Sequence, residues 1–289
     1  MIKNFKFELY KKIFHFLCGS GIGNNTLIAK INQNIRSNLK PEYVEMNNFR
    51  VYLDPTDHFG LSVKPYTLPK IYEKIIKTGD IVVDVGSNIG IHTMYFSKLV
   101  GDEGKVYSFE PEPNNFMLLK KNVEFNKCKN VIIEQKAVSN RTGKIKLSIS
   151  DSMAGHRISN LDLDETTIKI DCVSLDDYFK NNMHNIDFIK TDAEGFDGNV
   201  IQGAQKILLE SKNLNMLTEF HSKLLKNSDI SPKEFIELIK KCTFTIYEIM
   251  DDKFIETTFV KLSEKFNDET YYLTDLFCTH LENLPILSD

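Results

Sequence analysis

The segment Ile81–Thr93, IVVDVGSNIGIHT, constrains the fold of this chain more than any other feature. It opens with a short, almost wholly apolar run, which is typical of a buried parallel strand. The run continues through two glycines into a helical pattern. Small residues at such a turn let backbone N–H groups approach a ligand, and the start of a helix favours negative charge. The segment therefore predicts a strand–turn–helix unit that binds a nucleotide cofactor.

The spacing of the glycines distinguishes between cofactor classes. A dinucleotide pattern G-x-G-x-x-G that starts at Gly86 requires glycine at two positions where the chain has Asn88 and Ile91. The phosphate-binding pattern G-x-x-x-x-G-K-[ST] is absent from the sequence. The observed pattern, D-x-G-x-x-x-G from Asp84 to Gly90, favours S-adenosylmethionine (SAM), because the acid can reach the ammonium group and no pyrophosphate needs room.

A second candidate for cofactor binding lies in FEPEPNNF, Phe109–Phe116. Glu110 stands at the end of the next predicted strand, where a carboxylate can accept hydrogen bonds from both hydroxyls of a ribose. Pro111 follows it directly, and Glu112 is expected to face solvent. This pattern supports a cofactor that contains a nucleoside.

Strand and helix patterns alternate along the rest of the chain, which predicts a parallel sheet with helices on both faces. A hairpin is expected ahead of this region, around Asn47-Asn48. A pair of extended segments, Lys144–Ser148 and Ile168–Val173, is expected as an insertion around a polar loop, Asp151–Glu165. The predicted strands are Ile81–Val85, Val106–Phe109, Val131–Val138, Ile186–Thr191, Leu214–Phe220, Phe244–Ile249 and one near Tyr271–Cys278. The predicted helices are Tyr66–Lys77, Ile91–Val100, Asn114–Phe125, Leu175–Phe179, Asn199–Leu209 and Pro232–Cys242.

Residues 1–45 are predicted to form an N-terminal arm, and residues 46–289 one α/β domain. The arm is basic and begins with an amphipathic helix over residues 2–17, which ends at two glycines. Such a helix either packs against the domain or docks on a membrane surface or a partner. Five scattered cysteines without a C-x-x-C pattern indicate reduced thiols of a cytoplasmic protein. The net charge of −4 gives no reason to expect nucleic acid as a partner.

Acidic residues and a histidine follow the fourth and fifth predicted strands. TDAEG places Asp192 and Glu194 on one side of a strand's carboxyl end, where open α/β sheets bind ligands. These carboxylates are expected to orient the methionine part of the cofactor, hold an acceptor hydroxyl or take its proton; the alternative is that they cap the next helix. LTEFH ends the fifth strand with Glu219 and His221. A neutral imidazole there suits a general base, although a lone histidine is more often a packed residue.

Five segments in the order of a known family carry a more specific indication. DVGSNIGIHT, FEPEPNNF, AVSN, VSLDDYF and IDFIKTDAEGFDGNVIQGAQKIL together resemble the FkbM-type SAM-dependent methyltransferases over roughly residues 45–278. The resemblance implies a seven-stranded Rossmann-like sheet, parallel except for a C-terminal antiparallel strand. It also implies O-methylation, mostly of hydroxyls on sugars or natural products. The pattern I-K-x-D-x-E-G is matched from Ile189 to Gly195, whereas FDGNV departs from the more usual acidic and hydrophobic continuation.

These observations predict an enzyme that transfers a methyl group from SAM to a hydroxyl of a sugar, glycan, glycolipid or small metabolite. A SAM-binding protein without catalysis and an NAD-dependent dehydrogenase are the alternatives. Neither a metal nor nucleic acid is expected to take part, and His156 in the polar loop is a further candidate to meet the acceptor. The predicted catalytic residues are Asp192, Glu194 and His221. The predicted cofactor-binding residues are Asp84, Gly86, Ser87, Asn88, Gly90, His92, Glu110, Pro111, Ala137 and Asp192.

Overall fold

The computed structural model describes residues 6–7, 9–13, 34–35, 38–54, 68–148, 157–158, 167–181, 186–266 and 271–280. The chain divides into two compact units, Met1–Thr67 and Leu68–Asp289. The first unit therefore extends past the predicted arm and includes the hairpin. No helix among the described residues is long and apolar enough to cross a membrane.

The first unit contains the predicted hairpin, formed by β1 (Tyr43–Met46) and β2 (Phe49–Tyr52). Asn47 and Asn48 join the strands with φ angles of 50° and 68°, the left-handed pair that a tight hairpin turn requires. Residues 6–7 and 9–13 are helical, as the amphipathic pattern predicts. The rest of that predicted helix and its glycine stop lie outside the described residues.

The second unit contains the remaining strands and eight helices of the described chain. The strands are β3 (Ile81–Val85), β4 (Lys105–Phe109), β5 (Val131–Glu134), β6 (Ala137–Val138), β7 (Gly143–Ser148), β8 (Arg157–Ile158), β9 (Thr167–Val173), β10 (Phe188–Thr191), β11 (Asn215–His221), β12 (Thr245–Met250), β13 (Lys253–Glu256) and β14 (Leu273–Thr279). The helices are α1 (Ile71–Ile75), α2 (Ile91–Val100), α3 (Pro113–Phe125), α4 (Leu175–Tyr178), α5 (Asp197–Gln202), α6 (Gln205–Glu210), α7 (Pro232–Lys241) and α8 (Phe259–Glu264).

Eight of these strands form the main sheet, in the order β13-β12-β14-β11-β10-β3-β4-β5. The strands from β11 to β5 are parallel, and β14 lies antiparallel between β11 and β12. This confirms the predicted Rossmann-like sheet with its antiparallel C-terminal strand. One edge strand, β13, is added to the seven that were expected, because the chain after β12 turns back through Asp251 and Asp252 in left-handed conformation.

The register of the main sheet brings residues near the carboxyl ends of its central strands to the same level. Val85 lies opposite Phe109 on one side and Thr191 on the other, and Thr191 lies opposite Thr218. The row just beyond these residues consists of Gly86, Glu110, Asp192 and Glu219, with Asp275 of β14 paired to Glu219. The carboxyl edge of the sheet therefore brings together residues from five strands.

Two predicted elements are divided in the structure. The predicted strand Val131–Val138 was wrong as a single element: β5 ends the main sheet, and β6 joins a second sheet of order β6-β9-β7-β8. The predicted helix Asn199–Leu209 breaks into α5 and α6 at Gly203. A Cβ on Gly203 would lie 2.1 Å from the carbonyl oxygen of Ser139, so the chain is held against a neighbouring segment there. The polar loop Asp151–Glu165 contains β8, and its other residues lie outside the described part of the chain.

Candidate cofactor and acceptor site

The glycines of the β3–α2 loop have backbone conformations that other residues rarely adopt. Gly86 has φ +75°, and a Cβ on it would lie 1.9 Å from the carbonyl oxygen of Asp192. Gly90, the N-cap of α2, has φ +88°, and a Cβ on it would meet a side-chain carbon of Leu119 at 2.6 Å. Both positions favour glycine because of their positive φ, and at Gly86 a side chain would also collide with the backbone of the turn after β10.

The backbone N–H groups of this loop are bonded within the protein, which differs from the expectation that they reach toward a ligand. Gly86 and Ser87 both donate to the carbonyl oxygen of Phe109, at 3.0 and 3.1 Å. Asn88 donates to the side chain of Glu110 at 2.7 Å, and Gly90 donates to the carbonyl oxygen of Ser87 at 2.9 Å. The loop thus has a fixed shape, and its contribution to a cofactor is a preformed cradle.

Glu110 lies at the centre of this network, directly after β4. It is buried, and its two carboxyl oxygens accept backbone hydrogen bonds from Asn88 at 2.7 Å and from Glu112 at 2.9 Å. Burial raises its pKa to about 7, although the two backbone bonds oppose that shift. Each carboxyl oxygen keeps a second lone pair, so Glu110 has the acceptor capacity that a ribose requires. Pro111 follows it and is partly exposed.

The position of Glu112 differs from the one predicted from the sequence. It was predicted to face solvent, but it is buried and serves as the N-cap of α3. Its carboxylate accepts a backbone hydrogen bond from Asn115 at 2.7 Å and one from the side chain of Asn114 at 3.1 Å. An acid at an N-cap satisfies the N–H groups that the first helical turn leaves unpaired. Glu112 therefore fixes the position of Glu110 from the helix side.

Asp84, on β3, is fully buried. One carboxyl oxygen accepts a hydrogen bond from the hydroxyl of Thr93 at 2.6 Å, and the other has no hydrogen-bond partner among the described residues. Burial raises its pKa, and Lys190 on the adjacent strand opposes that shift. An unpaired buried carboxyl oxygen under the loop and a cradle that a Cβ would fill both fit a cofactor with a cationic group.

Lys190 and Asp192 form a partly buried ion pair at the end of β10. The ammonium of Lys190 lies 3.1 Å from a carboxyl oxygen of Asp192, and Lys190 is only 6% exposed whereas the Asp192 side chain is 44% exposed. Burial opposes the charge of Lys190, but Asp192 and Asp84 outweigh it and raise the pKa of the ammonium. The ion pair holds Asp192 beside the glycine loop and leaves part of its carboxylate accessible.

The turn after Asp192 has an unusual backbone. Glu194 has φ +51° and Gly195 has φ +91°. A Cβ on Gly195 would lie 2.6 Å from the carbonyl oxygen of Leu224. Asp197, which the sequence did not single out, is buried and accepts the N–H of Ala193 at 3.1 Å. Backbone strain of this kind persists where the surroundings impose it and is common at functional sites.

Glu219 and Asp275 form a pair of acidic residues whose proximity was not predicted from the sequence. They lie directly opposite each other on β11 and β14, and Glu219 is level with Asp192, which follows the neighbouring strand β10. Neither carboxyl group makes a hydrogen bond or an ion pair with the described part of the protein. Burial, followed by the charge of Asp192, raises the pKa of Glu219 to about 9. The segment LTEFH placed Glu219 at the end of a predicted strand, but no local pattern indicates that it pairs with Asp275.

His221 lies two residues beyond Glu219, at the end of β11. Its Nδ1 accepts the N–H of Leu224 at 3.1 Å, and its ring makes an edge contact with Tyr271, with centroids 5.1 Å apart. Desolvation lowers its pKa, so the imidazole is neutral. Because Nδ1 is occupied, only Nε2 is available to an acceptor.

Two predicted cofactor residues are packed against other side chains, and one candidate is not described. His92 packs edge-on against Tyr72, with centroids 5.6 Å apart, and desolvation lowers its pKa well below the usual range. Ala137 is buried in β6 and packs in a cluster with Phe196. His156 lies outside the described residues. Among the described residues, no group of three or more His, Cys, Asp or Glu side chains is arranged to hold a metal ion.

Comparison with known families and proteins gives several matches. The family model described as "Methyltransferase FkbM domain" matches residues 84–246, more than half of the chain. A second model, "Protein-L-isoaspartate(D-aspartate) O-methyltransferase (PCMT)", matches residues 19–139. The second match ends before β10 and so includes the glycine loop and Glu110 but none of the acids on β10, β11 and β14. "Methyltransferase 1" of Beauveria bassiana (strain ARSEF 2860) is 23% identical over 181 residues, which covers 54% of this chain and 72% of the relative.

Solved structures with similar folds include two methyltransferases. The FkbM methyltransferase from Methylobacillus flagellatus KT is 14% identical with a TM-score of 0.43, over 78% of this chain and 53% of that one. SMU.1697c from Streptococcus mutans, a putative methyltransferase in complex with S-adenosylhomocysteine (SAH), is 12% identical with a TM-score of 0.44, over 74% of this chain and 98% of that one.

Proposed function

Because this chain belongs to the FkbM family of SAM-dependent methyltransferases, we propose that it methylates the oxygen of a hydroxyl group on a sugar, glycan, glycolipid or small metabolite. Bound SAM supplies a methyl group on a positively charged sulfur. The protein has to hold that group in line with the acceptor oxygen and receive the proton of the hydroxyl. Alignment of this kind can contribute on the order of 7–11 kcal/mol to lowering the barrier.

The observation that carries this proposal is the row of carboxyl groups on β10, β11 and β14. Asp192, Glu219 and Asp275 lie side by side at the carboxyl edge of the sheet, next to the glycine loop. Carboxylates accept hydrogen bonds from hydroxyl groups. Tyr271, with 56% of its surface exposed, offers an aromatic face beside His221 on the same strand as Glu219. Carboxylates together with an exposed ring suit a neutral, hydroxyl-rich acceptor.

The charge of this edge also argues against other acceptors. A phosphate-rich nucleic acid is bound mainly through Lys and Arg, whereas these strand ends carry acids. A carboxylate acceptor, which the similarity to the isoaspartate O-methyltransferase model suggests as a second candidate, would bring a further negative charge beside Asp192. Like charges at close range repel, so a neutral hydroxyl is the better match.

The predicted residues divide the work between donor and acceptor. Glu110 is assigned to the ribose, and Asp192, held by Lys190 beside Gly86, to the methionine part of SAM. Glu194 lies beyond the end of β10 and His221 is the last residue of β11, and both are assigned to the acceptor. No step in this scheme requires a metal ion.

A substrate screen tests the proposal. Purified protein is incubated with methyl-labelled SAM and separate panels of sugars and glycolipids, isoaspartyl peptides, and RNA. We expect label in the sugar or glycolipid panel, in a product that resists the mild base that hydrolyses methyl esters. Label confined to the peptides, and lost in mild base, would instead establish carboxyl methylation. Label confined to RNA would contradict the argument from charge.

A further inference from the structure

The carboxyl group of Glu219 is unpaired, and it lies among other acidic side chains. It is partly buried on β11, and neither a hydrogen bond nor an ion pair joins its carboxyl group to the described part of the chain. A carboxylate that is partly withdrawn from water, has no hydrogen-bond donor and lies beside other acids holds a proton more readily than an exposed one. The geometry therefore favours the neutral, protonated form of Glu219 before any ligand binds.

The charged groups around Glu219 come from every neighbouring element. Asp192 and Glu194 follow β10, Asp197 begins α5, and Asp275 lies opposite on β14. The ammonium of Lys190, which also lies at the end of β10, is engaged with Asp192 at 3.1 Å. His221, on the same strand, is neutral. Burial and then the negative charge of these neighbours, Asp192 first, raise the pKa of Glu219 to about 9.

A positive charge at this edge of the sheet would favour the ionised form of Glu219 over its protonated form. Of the two forms of the cofactor, SAM carries a sulfonium and SAH carries a neutral thioether, while the ribose, adenine and amino-acid groups are shared. A cation near Asp192 favours the ionised form of the acids around it. The protonation of Glu219 should therefore respond to the sulfur's charge and not to the shared groups.

We propose that Glu219 holds a proton before the cofactor binds, releases it when SAM binds, and then serves as the base that receives the proton of the acceptor hydroxyl. This rests on the proposed function, since it requires a hydroxyl acceptor beside the strand ends. In the transfer step the acceptor oxygen forms a bond to the methyl carbon, and the bond from that carbon to sulfur breaks with its electron pair going to sulfur. The hydroxyl proton moves to the carboxylate of Glu219, which regains its neutral form as the sulfur loses its charge.

Proton release on binding tests this without any turnover. Titration calorimetry of SAM and of SAH at pH 7.5, in buffers of different ionisation enthalpy, gives the number of protons released by each ligand. We expect SAM to release about one proton more than SAH. Protons released from Glu110 appear with both ligands and cancel in the difference. The protons that each ligand's own amino group exchanges, which the sulfonium makes unequal, are calculated from titration of the free ligands and subtracted. The variant Glu219→Gln should abolish the difference while its affinity for SAH stays within about threefold of the wild type.

A second measurement needs no variant. Between pH 7 and 9 the ratio of SAM affinity to SAH affinity in the wild-type enzyme should rise by about tenfold per pH unit, because release of one proton links affinity to pH with that slope. Equal proton release by the two ligands, or a difference that persists in Glu219→Gln, would overturn the proposal and leave the proposed function intact. Detection of a labelled ester or RNA product would overturn the proposed function instead, whatever the proton count.

Discussion

The two halves of the carboxyl edge differ in how their polar groups are satisfied. At the ends of β3 and β4, the loop N–H groups, Glu110 and Glu112 are bonded to one another through short contacts. On β11 and β14, the carboxyl groups of Glu219 and Asp275 make no hydrogen bond or ion pair with the described residues. The first half has a fixed shape before any ligand arrives, which suits a constant cofactor. The second half leaves acids available for the acceptor and its proton.

The largest effect is expected where the two halves touch, at Gly86. Gly86→Ala places a Cβ 1.9 Å from the carbonyl oxygen of Asp192, so the loop or the β10 turn has to move. We expect SAM affinity to fall by roughly 100-fold or more, from overpacking of about 3 kcal/mol. Gly79→Ala is the matched control, since Gly79 has φ +93° and a Cβ added to it would meet nothing within 4 Å. It should lower the melting temperature slightly and leave affinity unchanged; equal losses in both variants would mean that φ strain alone explains the effect.

Glu110 tests the cofactor half directly. Glu110→Ala removes a buried acceptor, and hydrogen bonds to charged groups contribute about 1.5–3 kcal/mol, so SAM should bind roughly 10–100-fold more weakly. Because the pKa of Glu110 is about 7, SAH affinity in the wild type should decrease below that pH as the carboxylate gains a proton. Glu110→Gln should bind weakly and show no such pH dependence. A dissociation constant unchanged by either substitution would mean that the ribose is held elsewhere.

Smaller effects are expected at the rim of the acceptor half. His221→Ala and Glu194→Gln each remove one orienting contact, so single-turnover transfer at saturating SAM should slow by about tenfold, with SAM affinity changed less than about threefold. The His221 ring contacts Tyr271, so Tyr271→Phe, which keeps the ring, is the control and should retain the wild-type rate. Transfer by His221→Ala at the wild-type rate from pH 6 to 9 would show that His221 is only a packed residue at the strand end.

The smallest expected effect is that of removing metal ions on turnover. Turnover should persist in excess EDTA, because the described residues contain no group of three or more suitable ligands. The assay compares initial rates with and without the chelator, and then with added magnesium. Loss of activity that magnesium restores would make Asp192 and Glu194 metal ligands and would change their assigned roles.

The same contrast explains how much could be predicted from the sequence. The strand β3 and the helix α2 were predicted with their observed bounds, because an apolar run, two glycines and a helical period are local signals. The division at Gly203 could not be predicted, since it depends on the approach of Ser139. The pairing of Glu219 with Asp275 depends on the register of two strands that are distant in the sequence. The cofactor half could therefore be predicted from local sequence patterns. The acceptor half could not, because its residues come together only through strand pairing in the folded protein.

One paired measurement tests the division between the two halves most directly. SAH affinity and the single-turnover rate at saturating SAM are determined for Glu110→Ala and for Glu219→Gln under the same conditions. We expect Glu110→Ala to lose affinity while its rate at saturation stays within about threefold of the wild type. Glu219→Gln should keep its SAH affinity and lose about 10²–10⁴-fold in rate, the contribution of a positioned base. If both variants lose affinity and rate together, the carboxyl edge acts as a single unit and the division into a cofactor half and an acceptor half is wrong.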